Sequence, residues 1–509
     1  MIFLLLQIGC KSAGPMEFST VYGVANIDDD NGNNSADWDD NGISDNENDL
    51  STLVIPKEYF RKLKRREKLL LHQNDDGFRV YLDGDLKMNS VEDYFTVGDS
   101  RTDEDVVLEI EMQTINSTGT LTLERVSGSS VEDSVEILLE SVPMLINHHL
   151  QAMEHVYAMS GSNFVNNQEF IQGFEDALGS DFTSYNVSTY DWDVWLQDEV
   201  EFASLYSPES RVNIVIDSIR DRGLDPFAED NWEGPDFPVM TWGRGMATSQ
   251  DSFGNLEASP PIEGYPYGRI YYGDWYYGNS IDTITEDLTS YLDAQTIQDP
   301  IQLDVTFLCV GHVDEYQSYI PDPSSPKGFK LLLADVTAGY AFLETLDRNM
   351  QLPQYQYDHH YATVGAILND NALRGLNEDI QIDYLDATWA TLQAELGLTE
   401  DDLIRVPMIF EEAAQCGGYT ATLLPSTLNM VVATHEGGES ADLIIADPYF
   451  RSNINDQSSD PFIQHVKSLL PEGNTPHWID DWDDYHMMLG EVHCGSNTLR
   501  TPAYTPWQK

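Results

Sequence analysis

Hydrophobic and polar positions follow two different rhythms along this chain. Before residue 143 the apolar residues come in short alternating or β-branched runs, at Leu69 to His72, Phe78 to Leu82, Val106 to Met112, Gly119 to Leu123 and Val135 to Leu139. Clusters of Asp, Gly and Ser separate them. A period of two sends one face of a strand to a core and the other to water, so this spacing predicts a small antiparallel β-sandwich over residues 16–142, ending near Ser141-Val142-Pro143. Past Pro143, helical patterns such as Asn167 to Leu178 and Asp287 to Ala294 alternate with short strands, which predicts a mixed α and β domain over residues 143–509. That domain runs on without a linker and is long for one sheet. A repeated ββαβ propeller suits it, although no sequence repeat marks the units.

Composition narrows the class. The chain has 509 residues, 41% of them hydrophobic and 11% aromatic, as in an ordinary globular protein with more than one domain. Against 87 acidic residues stand 26 basic ones, for a net charge of -61. Such a balance repels nucleic acid and attracts cations, so metal ions and arginine-rich ligands are the natural partners. A salt-adapted proteome and plain solubility also produce acidity of this kind. Cys10, Cys309, Cys416 and Cys494 are too few for a disulfide framework, and a reactive thiol among them has to stay reduced. No run reaches the ~20 apolar residues of a membrane span. Residues 1–15 pair a short apolar run with Gly9-Cys10, like a bacterial lipoprotein signal cleaved before Cys10, although the basic start of such a signal is missing. Export with a lipid anchor is the expectation, a buried strand in a cytoplasmic protein the alternative.

Charge is also patterned locally. Between Asp28 and Asp49 stand nine carboxylates, with no Lys or Arg from Lys11 to Lys57 to neutralise them. Asp and Asn at close spacing with Gly for sharp turns is how a loop wraps calcium with oxygen, although the spacing is not that of an EF-hand. A disordered acidic loop is the plain alternative. Lys57 to Lys68 carries seven basic residues, taken as a solvated face beside that loop rather than a nucleic-acid patch. No glycine-rich phosphate loop or dinucleotide fingerprint appears.

Three strings carry candidate chemistry. In Gly490-Glu491-Val492-His493-Cys494-Gly495, small residues in a turn-like run make Cys494 a candidate thiol nucleophile. In Trp195-Leu196-Gln197-Asp198-Glu199-Val200-Glu201, an extended backbone puts Asp198 on one face and Gln197, Glu199 and Glu201 on the other. In Val310-Gly311-His312-Val313-Asp314-Glu315, the same period puts His312 and Asp314 together. Carboxylates to hold a guanidinium, a soft nucleophile for its carbon and a histidine to move protons are what hydrolysis of arginine's side chain requires. Taken singly, each string is equally a hydrogen-bonded structural cluster.

Together the strings resemble the protein-arginine deiminases, calcium-dependent enzymes that convert peptidyl-arginine to peptidyl-citrulline. The resemblance runs in order from Tyr22 onward and includes Asp217-Ser218-Ile219-Arg220-Asp221-Arg222-Gly223-Leu224, Gly234-Pro235-Asp236-Phe237, Asp251-Ser252-Phe253-Gly254-Asn255-Leu256-Glu257, Tyr265-Pro266-Tyr267-Gly268-Arg269-Ile270 and Lys327-Gly328-Phe329-Lys330-Leu331-Leu332-Leu333. It implies an α+β architecture, a five-bladed α/β propeller (the pentein fold) preceded by an immunoglobulin-like sandwich. By position, Cys494 resembles the family nucleophile, His312 its general acid and base, and Asp198 with Asp314 the pair that grips the guanidinium. Trp195 matches the residue lining the arginine stem, and Arg222, with Arg220 beside it, matches the substrate-binding arginines. One implied calcium site uses Gln197, Glu201, Glu257 and the carbonyls of Phe253 and Leu256; a second uses Glu199, Asp217, Ser218 and Asp221. A third cluster maps onto Asn26, Asp28, Asp30, Asp37, Asp40 and Asp49, with Asp236 reaching in.

The chain also departs from the family. It has room for one immunoglobulin-like domain where animal members have two, which leaves their head-to-tail dimer in doubt. Met487-Met488-Leu489 stands where the family has basic residues that hold the substrate backbone, and Asp221 stands where it has an amide. Two other readings stay open: a related enzyme acting on free arginine or agmatine, and a non-catalytic calcium-dependent surface binding module.

Overall fold

The computed structural model describes residues 16–28, 50–208, 210–220, 222–235, 237–241, 247–275, 283–294, 297–353 and 361–502. The leader-like segment 1–15 and the acidic ligands Asp30, Asp37, Asp40, Asp49, Asp221 and Asp236 lie outside them.

Two facing sheets occupy the N-terminal part. One runs in the order Val21–Gly23, Ser130–Ser141, Thr118–Ser127, Glu67–Gln73, Tyr94–Asp99, and the other Leu50–Ile55, Val106–Met112, Phe78–Leu82, Asp85–Met88. Every second residue of Glu67–Gln73 is buried. Leu69, Leu71, Leu121, Leu123, Ile137 and Leu139 from the first sheet share a core with Leu53, Ile55, Phe78, Val80, Leu108 and Ile110 from the second. All five strands expected here are present, but the pairing is not purely antiparallel: Val21–Gly23 lies parallel to Leu139–Ser141. A strand entering from the far end of the acidic segment needs no hairpin, so nothing forces it to reverse.

Among the described residues from 145 onward a single theme recurs five times, an antiparallel strand pair followed by a third strand parallel to its second member. The triplets are Val200–Tyr206, Arg211–Asp217, Val239–Thr241; Leu256–Ala258, Ile270–Asp274, Ile301–Asp304; Gln317–Pro321, Phe329–Asp335, Leu403–Pro407; Val431–Thr434, Ala441–Ala446, Asn474–Ile479; and Ser496–Arg500, Met153–Ser160, Phe182–Asn186. A parallel partner requires a crossover, and each crossover carries helix: Phe227–Asn231, Glu286–Asp293, a group from Val336–Glu344 to Asp386–Leu396, Pro461–Leu469 and Gln168–Leu178. The fifth triplet is assembled from both ends of the stretch, since Ser496–Arg500 pairs with Met153–Ser160. The repeat exists in structure without a repeat in sequence because each unit needs only the burial pattern, which many residues satisfy.

Cys309 and Cys416 form a disulfide with Cα atoms 5.7 Å apart, and among the described residues Cys494 is the free cysteine. Among the described residues no helix is long and apolar enough to cross a membrane.

Candidate active site

Cys494 sits in the turn that leads into Ser496–Arg500. The turn is held by Asn429, whose Oδ1 accepts from the N–H groups of His493 at 3.0 Å and Cys494 at 3.2 Å. Nδ2 of Asn429 points to the Cys494 sulfur at 3.3 Å. Gly490 opens the turn against the Trp195 indole, where a Cβ would overlap the ring. The thiol is buried, and burial together with the Asp314 and Asp198 charges pushes its pKa well up.

Asp314 Oδ2 lies 3.9 Å from the Cys494 sulfur and accepts from Nδ1 of His493 at 2.9 Å. His312 is fully buried, and its Nε2 is 2.8 Å from the Ser249 carbonyl. A carbonyl can only accept, so Nε2 carries the proton and Nδ1 keeps the lone pair. That Nδ1 makes no hydrogen bond among the described residues and lies 3.7 Å from Oδ1 of Asp198. A Cβ on Gly254 would stand 2.8 Å from His312 Nδ1 and 3.0 Å from Asp314 Oδ2, so glycine leaves room where these two groups converge. Val313–Glu315 is a 3-10 turn rather than a strand, yet His312 and Asp314 still face the same space.

The segment carrying Asp198 departs from the extended reading. Leu196–Glu199 is one helical turn, and the strand begins at Val200. Its first residues are tied down from outside: Gln197 N–H donates to the Cys494 carbonyl at 3.2 Å, and Asp193 Oδ1 accepts from the N–H of Trp195. Helical spacing brings Gln197 Nε2 to Glu201 Oε2 at 2.7 Å and to the Phe253 carbonyl at 3.2 Å. Glu199 turns away from both, toward Asp217 and Ser218, whose N–H donates to the Glu199 carbonyl at 2.8 Å. Gln197, Glu199 and Glu201 therefore do not share one face.

Arg222 Nη1 lies 3.1 Å and Arg220 Nη1 3.4 Å from Oδ2 of Asp198, while Arg222 also pairs with Asp193 at 3.2 Å. Asp198 thus meets the chain's own guanidinium groups through Oδ2, and its Oδ1 faces His312.

Whether the acids fit calcium is answered by their unmet bonding. Glu199 is fully buried, neither carboxylate oxygen has a hydrogen bond among the described residues, and burial pushes its pKa up to about 8 against the pull of Arg222. Beside it Asp217 and Ser218 are buried, Asp217 accepting from Thr241 at 2.9 Å. In the first set, Glu257 Oε1 lacks a hydrogen bond among the described residues, and burial plus the Glu257 charge raises the Glu201 pKa well above normal. Buried, under-bonded oxygens clustered in this way suit a hard divalent cation. Of the N-terminal set, Asn26 and Asp28 are buried, and Asn26 Nδ2 donates to Glu111 at 2.8 Å.

Sequence reasoning passed over Asn429, Asp193 and Ser249, and gave His493 no role. Asn429 lies in the apolar run Leu428 to Met430, where a single amide has no periodic signature. A cleft of about 310 Å³ opens onto Cys494 and Asn429, lined by Glu315, Glu411, Glu412, Glu491 and Trp482, with the Glu411 and Glu412 carboxylates and the Trp482 ring suited to a cation. Met487 and Leu489 also line it.

Residues 129–509 match a family model described as protein-arginine deiminase. The chain belongs to the protein-arginine deiminase family. It is 36% identical over 326 residues to protein-arginine deiminase type-1 of Mus musculus, covering 62% of this chain and 47% of the mouse protein. It is 31% identical over 411 residues to protein-arginine deiminase type-4 of Homo sapiens, covering 77% of this chain and 59% of the human one. The chain thus spans about half the length of the curated deiminases it matches.

Proposed function

We propose that the chain hydrolyses peptidyl-arginine to peptidyl-citrulline and ammonia, in a calcium-dependent way. The observation that carries this is the meeting of Cys494, His312, Asp198 and Asp314 from three distant strings, in a family whose named members are arginine deiminases. The substrate guanidinium lies between Asp198 Oδ1 and Asp314, and its positive charge relieves the two carboxylates that hold the thiol protonated. Cys494 then attacks the guanidinium carbon. His312 Nδ1, the nitrogen left with a lone pair, takes up the thiol proton as the sulfur attacks, then passes it to departing ammonia and leaves a covalent thiouronium. The same nitrogen next takes a proton from water, which attacks that carbon and releases citrulline and the thiol. Trp195, packed on Gly490, flanks the arginine stem, and Arg222 leaves Asp198 for a substrate backbone carbonyl.

Gln197, Glu201, Glu257 and the carbonyls of Phe253 and Leu256 would hold one calcium, and Glu199, Asp217, Ser218 and Asp221 another. When bound, the metal supplies positive charge that offsets these clustered acids. Asn26, Asp28, Asp30, Asp37, Asp40, Asp49 and Asp236 are the candidates for the third cluster. The five ββαβ units support a five-bladed pentein propeller over 143–509, and the two facing sheets an immunoglobulin-like domain over 16–142. Export remains the reading for residues 1–15.

The test is citrulline release from a blocked arginine peptide, with calcium or with chelator, by the wild type, Cys494→Ser and His312→Ala. Release by the wild type in calcium and loss of at least about 10³-fold in each variant is expected, since both act in one covalent step. Near wild-type turnover in either folded variant sinks the mechanism. A preference for free arginine over the peptide moves the protein to the free-substrate class.

A further inference from the structure

Three side chains from distant segments converge one contact away from Asp314. Nε2 of His149 lies 3.3 Å from Oε2 of Glu257, and Nε2 of His493 lies 3.8 Å from Oε1 of the same carboxylate. One ligand atom from each of the three falls within 4.8 Å of the other two. All three residues are at least nine-tenths buried, with exposures of 7%, 5% and 7% for His149, Glu257 and His493. Among the described residues Glu257 Oε1 has no hydrogen bond of its own.

Both imidazoles are also braced from behind. Nδ1 of His493 is 2.9 Å from Asp314 Oδ2, and Nδ1 of His149 is 3.1 Å from the Ser318 hydroxyl. The carboxylate can only accept, so the His493 proton sits on Nδ1 and Nε2 can present a lone pair toward Glu257. An outer acceptor that fixes the tautomer and ring plane is the usual backing of a metal-ligating histidine. Ligands about 2.0–2.1 Å from a tetrahedral ion stand roughly 3.4 Å apart. The His149 contact, at 3.3 Å from one Glu257 oxygen, is close to that spacing, and His493 approaches the other oxygen at 3.8 Å.

We propose that His149, Glu257 and His493 form a three-ligand site for a zinc-class divalent cation, one that excludes calcium from Glu257 when filled. Two imidazoles and one carboxylate favour a borderline metal over a hard one, whereas the calcium set drawn above is all oxygen. Glu257 belongs to both sets and cannot serve two ions in two geometries. The competition rests on the calcium assignment under the proposed function; the zinc site itself does not. His493 keeps its Nδ1–H on Asp314 with metal on Nε2, so the ion adds positive charge one ring away from the substrate-gripping carboxylate.

The test uses the full chain stripped of metal and titrated with cobalt(II), a spectroscopic stand-in for zinc. One equivalent is expected to give the visible bands of tetrahedral cobalt, bleached by zinc and by saturating calcium. The many surface carboxylates bind cobalt only in oxygen-rich octahedral form, which lacks that spectrum. His149→Gln and His149→Ala should each weaken cobalt binding by more than the 10–100-fold typical of losing an outer-shell partner. Melting curves of the metal-free variants separate lost binding from lost fold. Absence of the tetrahedral spectrum in the wild type, or its survival at equal affinity in folded His149 variants, overturns the site. Cobalt retained in saturating calcium overturns the exclusion. If no metal supports citrulline release, the proposed function fails while the spectrum still decides the zinc site.

Discussion

Glu315 shows how much one buried acid governs here. Its Oε1 accepts from the N–H groups of Gly311 at 3.0 Å and His312 at 2.8 Å, so it sets the backbone that presents His312. Burial nevertheless pushes its pKa up to about 8 from an ordinary 4.5, with the Asp314 and Glu491 charges adding and those two N–H groups opposing. Between those values the folded chain keeps a proton that the unfolded chain has lost. Its contribution to stability therefore falls as pH rises through that window, by about 1.4 kcal/mol per pH unit, and levels off above it. Glu315→Gln preserves the acceptor and removes the titration. Its melting temperature should fall less steeply than the wild type's between about pH 5 and 8. Parallel curves for the two proteins would show that Glu315 is ionised throughout.

At the scale of elements, the turn Leu196–Glu199 ties the candidate metal ligands to the substrate grip, because Asp198 lies between Gln197 and Glu199 in one helical turn. Glu201→Gln should move the calcium midpoint for activity upward by about tenfold or more, with little change in the limiting rate, if Glu201 serves only the metal. A fall in the limiting rate at saturating calcium would give Glu201 a role in the chemistry instead. This element also shows where sequence stops being legible. The strands with alternating faces, such as Glu67–Gln73 and the first half of Thr118–Ser127, are visible because water on one side and core on the other write a period of two. Leu196–Glu199 is buried throughout, so no period is written, and the hydrogen bond from Gln197 N–H to the Cys494 carbonyl, 297 residues away, decides its shape. Asn429 is hidden for the same reason. Cys494, His312, Asp198 and Asp314 were legible only as three strings taken together.

For the whole molecule, the net charge of -61 means that the compact state works against its own repulsion. Calcium should raise the melting temperature by specific occupancy, about 2.7 kcal/mol of added stability at a hundredfold excess over Kd, beyond whatever screening provides. Sodium chloride at equal ionic strength is the control. Equal shifts from the two salts would reduce the effect to screening and remove support for built calcium sites. The same control bears on the acidic wall of the cleft, where Glu411 and Glu412 should draw arginine peptides more strongly at low salt.

The strand after Cys494 closes the fifth triplet by pairing with Met153–Ser160, the first long strand of that region. Synthesis is vectorial, so a ribosome must finish nearly every other unit before this partner exists. A nascent chain therefore has no assembled thiol site until translation has passed residue 500.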